Sequence, residues 1–305
     1  MCVCGLGGLA ETVFFLPLPP RMIDFLHHPE IERIINQALI EDIGAGDVTS
    51  LATIPLESMR RARCLIKENG VIAGVQFAEQ VFRKIDNTLH FKPIISDGSA
   101  VKVGDIVFEI SGSARSILSA ERLVLNSLQR MSGIAAMAAT AVQILKGTKC
   151  KVLDTRKTTP LIRHLEKWAV VIGGGENHRF GLYDMILIKD NHIDYAGGIA
   201  AALRQAVTFC QKNQQKLRIE IECRNLTEVQ EAIATGGMDI ILLDNMPPAM
   251  IAEAVSIING RYLVEVSGNI TLENLASKAL PGVDFISMGA LTHSVKSLDI
   301  SLKAF

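Results

Sequence analysis

Residues 217–223, LRIEIEC, and 239–244, DIILLD, decide the fold. Each is a short, mainly apolar run with a carboxylate at or near its C-terminal end, and a helical stretch at 227–235 lies between them. Near-continuous apolar strands alternating with helices indicate a parallel sheet whose two faces are both covered by helices. The unit recurs in both directions along the chain. Strands are expected at 150–154 (CKVLD), 185–189 (MILIK), 262–267 (YLVEVS) and 283–288 (VDFISM), with helices near 161–171, 197–212, 247–258 and 271–279. A polar residue stands at or near the end of five of these six strands: Asp154, Lys189, Glu222, Asp244, Ser267. Side chains alternate along a strand, so Glu220 and Glu222 share a face, as do Glu265 and Ser267. Charged groups at the C-terminal ends of several parallel strands are what a barrel active site requires. An open doubly wound sheet places its ligand at the same ends, but no G-x-G-x-x-G loop follows a first strand, which favours the barrel.

From about residue 115 the character changes. A long helical region rich in Ala, Leu and Met runs to about Leu145, with a break expected near Gly133. Before it, residues 29–41 set Ile31, Ile34, Ile35, Ala38 and Leu39 on one helical face, an amphipathic surface helix. DIGAGDVTS (42–50) reads as a turn. Strand-like runs follow at 61–67, 89–95 and 101–110, with a helix at 74–85 between the first two. Strands mixed with a few helices suggest an α+β layer domain. The chain is therefore an α/β protein of two parts.

Composition narrows the function classes. The 305 residues are 49% hydrophobic, enough for one large core or two smaller ones, and length alone favours about two domains. With 31 Lys and Arg against 32 Asp and Glu, the formal net charge is −1. A nucleic-acid surface needs a clustered basic footprint, and aromatics at 5% with the single Trp168 argue against base-stacking platforms. Of the cysteines Cys2, Cys4, Cys64, Cys150, Cys210 and Cys223, only the first two are close, so no zinc framework is expected. Scattered cysteines in a chain of this size point to a reducing, cytoplasmic setting. Residues 1–21 are apolar but lack a basic start, and Glu11 and several prolines interrupt them. They read as a disordered extension rather than a secretion signal, and no run elsewhere reaches the roughly 20 apolar residues of a membrane span.

Four segments carry the chemistry. DTRKTTP (154–160) places Arg156 and Lys157 on a strand-to-helix loop, where a solvated loop and an anion site are an even match. GGGENHRFGLYDMILIKDNH (173–192) carries His178, Arg179 and Lys189 after a triple glycine that is either a ligand-approaching loop or a flexible connector. Arginine offers a planar fork for carboxylate or phosphate and lysine a mobile point charge. Glu222 and Asp244 end consecutive strands, and two hard oxygen donors without a histidine pair suit Mg²⁺ unless each pairs with a nearby lysine. VSGNIT (266–271) and SMGALTHS (287–294) follow the last two strands, where barrels often build a phosphate pocket. On the helical stretch AERLVLNSLQRMSGIA (120–135), Arg122 and Arg130 read from the residues alone as solvated.

Taken in order from about residue 22 to the C-terminus, DIGAGDVTS, AERLVLNSLQRMSGIA, DTRKTTP, GGGENHRFGLYDMILIKDNH, IEIEC, ILLDN, VSGNIT and SMGALTHS resemble the quinolinate phosphoribosyltransferase family, decarboxylating enzymes of NAD biosynthesis. The resemblance implies a type II phosphoribosyltransferase fold: an N-terminal open-faced α/β sandwich over 22–124, joined by 292–305, and an incomplete β/α barrel over 125–291. It implies a homodimer with shared active sites, in which Arg122 reaches the neighbouring subunit's site. Arg156, His178 and Arg179 match positions that hold the two carboxylates of quinolinate, with Lys189 close by. Lys157 matches a position associated with phosphoribosyl pyrophosphate. Glu222 and Asp244 match the positions for ribose hydroxyls and Mg²⁺, and Ser267, Gly268, Asn269 and Gly289 the 5′-phosphate loops. Some relatives carry a second glycine where this chain has Asn269. Rival readings of the residues remain a related pyrophosphorylase for another anionic acceptor, a nicotinate-using transferase, and a barrel that binds phosphorylated ligands without turnover.

Overall fold

The computed structural model of the chain describes residues 24–305. The extension at 1–21 lies outside the described residues. The first helix, α1 (Pro29–Ile43), begins with Pro at its first position, and the His28 side chain accepts the Glu30 N–H; Ile31, Ile34 and Ile35 are its buried face. It runs two residues past the expected end, to Gly44 at φ 53. The turn expected at 42–50 is shorter than the sequence suggested, because Asp47 caps a second helix, α2 (Val48–Thr53), through the Ser50 N–H. Asp followed by a short run is an N-cap signature.

Next come β1 (Met59–Ile66), β2 (Gly70–Val71), α3 (Val75–Ile85), β3 (His90–Pro93), β4 (Ala100–Val101) and β5 (Ile106–Ser113). The run at 101–110 is not one strand. It breaks at a turn in which the Asp105 carboxylate accepts the Lys102 N–H and Gly104 sits at φ 95, a conformation glycine adopts freely. With β12 (Ile300–Ala304), the sheet order is β12-β1-β5-β3, all antiparallel. The last strand, β12, is the chain's own C-terminal end. One face of this sheet packs on α3, whose Phe77, Ala78, Val81 and Phe82 are buried. The other carries Arg61, Lys92 and Glu109, with the Arg61 guanidinium 4.4 Å from the Phe305 ring centre. That charged face makes the domain open-faced.

Helix α4 (Ala114–Ile144) is continuous for 31 residues, about 46 Å. It passes through Gly133 without the expected break, so it joins the two parts as one rod. The glycine serves packing: a Cβ there would lie 2.2 Å from the Lys296 carbonyl oxygen.

Beyond it the strand–helix units follow as β6 (Lys151–Leu153), α5 (Arg163–Ile172), β7 (Ile186–Ile188), α6 (Asp190–Ala196), α7 (Ile199–Lys212), β8 (Ile219–Cys223), α8 (Leu226–Thr235), β9 (Ile240–Asp244), α9 (Pro248–Ile258), β10 (Leu263–Ser267), α10 (Leu272–Lys278), β11 (Phe285–Ser287), α11 (Ala290–His293) and β12 (Ile300–Ala304). All six expected strands are present. The helix expected at 197–212 is preceded by a separate one, α6, ended by Gly197 at φ 87. The six strands are parallel in the order β6-β11-β10-β9-β8-β7. This is the cyclic order of a barrel opened between β6 and β7. Curling follows from side-chain convergence: Glu220 on β8 and Glu265 on β10 stand two strands apart, about 9.6 Å in a flat sheet. Their carboxylates and His178, from the segment after β6, nonetheless lie within 4.8 Å of one another.

Candidate active site

The segment between β6 and β7 is tied down chiefly around residues 176–181. Asp154, at the end of β6, accepts the His178 N–H (2.9 Å) and the Asn177 amide (2.6 Å), and Lys167 of α5 donates to it as well. Lys167 also donates to the His178 carbonyl (3.1 Å). The His178 Nδ1 accepts the Arg179 N–H (2.7 Å), Asp184 accepts the N–H groups of Phe180 and Gly181 (2.7 and 2.9 Å), and Arg163 donates to the Phe180 carbonyl. The triple glycine is neither a ligand loop nor a loose connector. Cβ atoms at Gly173 and Gly175 would meet the Ala135 carbonyl at 2.4 Å and Val170 at 2.9 Å, so the glycines let the turn pack against α4 and α5.

This frame brings Arg156 and Arg179 together. Partial burial, and after it the positive charge of Arg156, holds the Arg179 guanidinium below its ordinary range. Arg179 donates to the Met185 carbonyl (3.3 Å), and the buried Arg156 Nε has no hydrogen-bond partner among the described residues. Two close guanidiniums with donor capacity to spare attract a multiply anionic ligand. Lys157 is exposed, and a Cβ at Gly289 would lie 3.0 Å from its side chain, so the two expected contributors to the phosphate end are neighbours. Thr292 ties this corner by donating to the Lys157 carbonyl (2.8 Å).

Glu222 and Asp244 are also brought together. Burial and the neighbouring Asp244 charge push the Glu222 carboxyl up, against the pull of Lys189, whose Nζ is 3.9 Å away. Asp244 accepts the Asn245 amide (2.7 Å), and Asn245 in turn accepts from Asn269 (3.1 Å). Asn269 adopts φ 48 and Gly268 φ 92, while the Asn245 N–H donates to the Ser267 carbonyl (3.0 Å). The Asn269 side chain thus holds the turn. Arg122 stands exposed on α4, with no hydrogen bond or ion pair among the described residues. Arg130 is not solvated: it donates to Glu166 (2.8 Å), Thr159 and the Thr292 carbonyl.

Sequence reading gave no role to the pair Glu220 and Glu265, which are 0% and 1% exposed. The His178 Nε2 lies 3.1 Å from Glu220 and 3.5 Å from Glu265. Histidine with two carboxylates has the composition of a metal site. Because Nδ1 accepts the Arg179 N–H, however, the proton sits on Nε2, which then has no lone pair to give. Glu222 and Asp244, partly open and made of hard oxygens, fit a hydrated divalent cation better. Burial pushes both Glu220 and Glu265 up to about 8. Between the ordinary 4.5 and about 8 the folded chain holds protons that the unfolded chain has released, so stability falls as pH rises through that window. The melting temperature is expected to drop as the pH rises from about 5 to about 8, and Glu265→Gln to flatten that drop. An unchanged slope in the variant would remove the pair as its source.

The chain matches the family description "Quinolinate phosphoribosyl transferase, N-terminal domain" over residues 47–132 and "C-terminal domain" over 134–303. It is 44% identical over 293 residues to quinolinate phosphoribosyltransferase [decarboxylating] 1b of Nicotiana tabacum, covering 90% of this chain and 83% of that one. It is 42% identical over 277 residues to a probable nicotinate-nucleotide pyrophosphorylase [carboxylating] of Bacillus subtilis, covering 91% and 94%. The crystal structure of NadC from Streptococcus pyogenes superposes with a TM-score of 0.85 at 41% identity, over 90% of this chain and 95% of that one. By both domain matches and by these relatives, the chain belongs to the quinolinate phosphoribosyltransferase family.

Proposed function

We propose that the family's reaction, transfer of a phosphoribosyl group to quinolinate with loss of CO₂ to give nicotinate mononucleotide, is carried here by two clusters of residues. Arg156 and Arg179 take the two carboxylates of quinolinate, with Lys189 beside them; the adjacency of these guanidiniums, with the Arg156 Nε unpaired, is the observation that carries the assignment. His178 belongs to the same set, and its ring, which accepts the Arg179 N–H and lies 3.1 Å from Glu220, fixes the Arg179 side of the clamp. Ser267, Gly268, Asn269 and Gly289 form the 5′-phosphate loops, with Lys157 against Gly289. Glu222 and Asp244 would hold Mg²⁺ and the ribose hydroxyls. When bound, Mg²⁺ neutralises charge on the pyrophosphate.

The chemistry asks mainly for orientation and electrostatics. Quinolinate and phosphoribosyl pyrophosphate repel one another, so a pocket lined with Arg and Lys offsets that repulsion where the dielectric is low. The clamp aims the pyridine nitrogen at the ribose C1. That nitrogen forms the new C–N bond as the C1–O bond to pyrophosphate breaks. The ring nitrogen is then formally positive. The C–C bond to the adjacent carboxylate breaks, CO₂ leaves, and the electron pair stays on C2 beside that charge until a proton arrives. The other carboxylate remains held by arginine.

Arg122, exposed and unpartnered among the described residues, supports a homodimer in which it reaches the neighbouring site. Exposed Leu161, Leu182 and Tyr183 near the site loops support the same reading. No described helix is long and apolar enough to cross a membrane, and the described cysteines, all free, support a reducing compartment such as the cytoplasm. Purified protein given quinolinate, phosphoribosyl pyrophosphate and Mg²⁺ should release CO₂ and nicotinate mononucleotide in equal amounts, and EDTA should stop both. Product without CO₂ from another acid would move the acceptor assignment.

A further inference from the structure

The reaction uses neither Asp154 nor Lys167, yet both side chains are 0% exposed in a molecule whose remaining charges mostly reach water. A buried ion pair is a weak source of stability: desolvation offsets much of the attraction, and apolar pairs of similar size often do as well. What this pair does that an apolar pair cannot is hold one residue by both of its backbone groups. Asp154 accepts the His178 N–H, and Lys167 donates to the His178 carbonyl. Asn177 closes the cradle by donating to both the Asp154 carboxylate (2.6 Å) and the Lys167 carbonyl (3.0 Å).

The two ends of this cradle lead to the two arginines. Asp154 stands two residues before Arg156, and its own N–H donates to the Glu176 carbonyl (3.1 Å), so β6 and the 176–178 segment are stitched by backbone and side chain together. His178 immediately precedes Arg179, whose N–H is captured by the His178 ring. Rotation of the 177–178 peptide would swing the Arg179 side chain relative to Arg156. Two guanidiniums that repel one another need such a restraint, because without it they would separate when no anion is bound.

We propose that Asp154 and Lys167 are positioning residues for the acceptor: without touching it, they set the angle between Arg156 and Arg179 and so select a ligand with two adjacent carboxylates. This rests on the assignment of those arginines as the carboxylate clamp. The pair is net neutral, so its contribution is direction rather than field.

The test uses the double variant Asp154→Asn with Lys167→Met, which removes both charges at matched shape and leaves no lone charge buried. The KM for quinolinate should rise about tenfold or more, since displacement of a positioned group by about 1 Å costs on the order of 100-fold. The KM for phosphoribosyl pyrophosphate should stay within about threefold on the same reasoning. Calorimetric affinity for phthalate, a dicarboxylate that cannot turn over, should fall in parallel. A merely structural pair would move both KM values together with the melting temperature. Asn177→Ala loosens the same cradle without stranding a charge. It should raise the quinolinate KM about threefold, a smaller change in the same direction, and it keeps the test decisive if the double variant does not fold. Wild-type quinolinate KM and phthalate affinity in folded variants would overturn the proposal. Unchanged phthalate binding in Arg156→Ala would instead overturn the clamp on which it rests.

Discussion

Arg156→Ala is expected to raise the KM for quinolinate at least about 30-fold while leaving the protein folded. The magnitude follows from what is lost. Removing one charged partner from a desolvated, hydrogen-bonded charge pair costs about 2 to 5 kcal/mol, and 2 kcal/mol is roughly 30-fold in affinity. The fold should survive because the buried Arg156 Nε has no hydrogen-bond partner among the described residues, and because removing it relieves a repulsion that, after burial, holds the Arg179 guanidinium below its ordinary range. The free enzyme should therefore melt no lower than wild type. Steady-state kinetics with quinolinate varied, beside a melting curve without ligand, checks both halves. Normal KM would remove Arg156 from the clamp. A raised KM with a large loss of stability would make it a structural residue. Arg156→Lys should recover little, since a point charge cannot reproduce the planar fork.

How much of this was legible beforehand depends on how local each feature is. The strand ends were readable because an apolar run closing on Asp154, Lys189, Glu222, Asp244 or Ser267 is visible within a few residues. The pair Glu222 and Asp244 followed from their places on consecutive strands. The convergence of Glu220, Glu265 and His178 was not readable, although the shared face of each strand was, because it depends on how far the sheet curls. Buried charges on α5 were hidden for a different reason. Glu166 and Lys167 sit side by side in RHLEKWAVVI and are both fully buried, where charged residues in a helix usually mark the solvent face. Their partners, Arg130 and Asp154, lie 36 and 13 residues away. No periodicity announces such pairs. Gly133 misled in the other direction: a glycine inside a helical pattern suggests a break, and only the strap at 294–299, between α11 and β12 and lying across α4, shows why it is there.

That strap supplies the second large effect. Gly133→Ala is expected to destabilise the chain by about 3 kcal/mol, despite a gain of about 1 kcal/mol in helix propensity. The gain would decide the sign at an open helical site. Here the new Cβ would sit 2.2 Å from the Lys296 carbonyl oxygen and 3.1 Å from its carbon. These are backbone atoms, and they cannot swing aside as a side-chain tip would. The strap is pinned close by on both sides, since the Leu298 N–H donates to the Gln129 carbonyl (3.0 Å) and the Gln129 amide to the Ile300 carbonyl (2.9 Å). Lifting it would strain the junction with β12, and so the pairing of β12 with β1 from Ala62 to Ile66. It would also pull at Thr292, which holds the Lys157 carbonyl and accepts from Arg130. The melting temperature should therefore fall by about 6 to 12 °C, at about 2 to 4 °C per kcal/mol for a chain somewhat shorter than this. Turnover should fall with it, and the KM for phosphoribosyl pyrophosphate should rise more than that for quinolinate if Lys157 serves the phosphate side as proposed. If the variant melted at or above the wild-type temperature, the strap would be free to lift without cost. The fit of α4 against the C-terminal segment would then be no constraint on the fold, and the glycine at 133 would need another explanation.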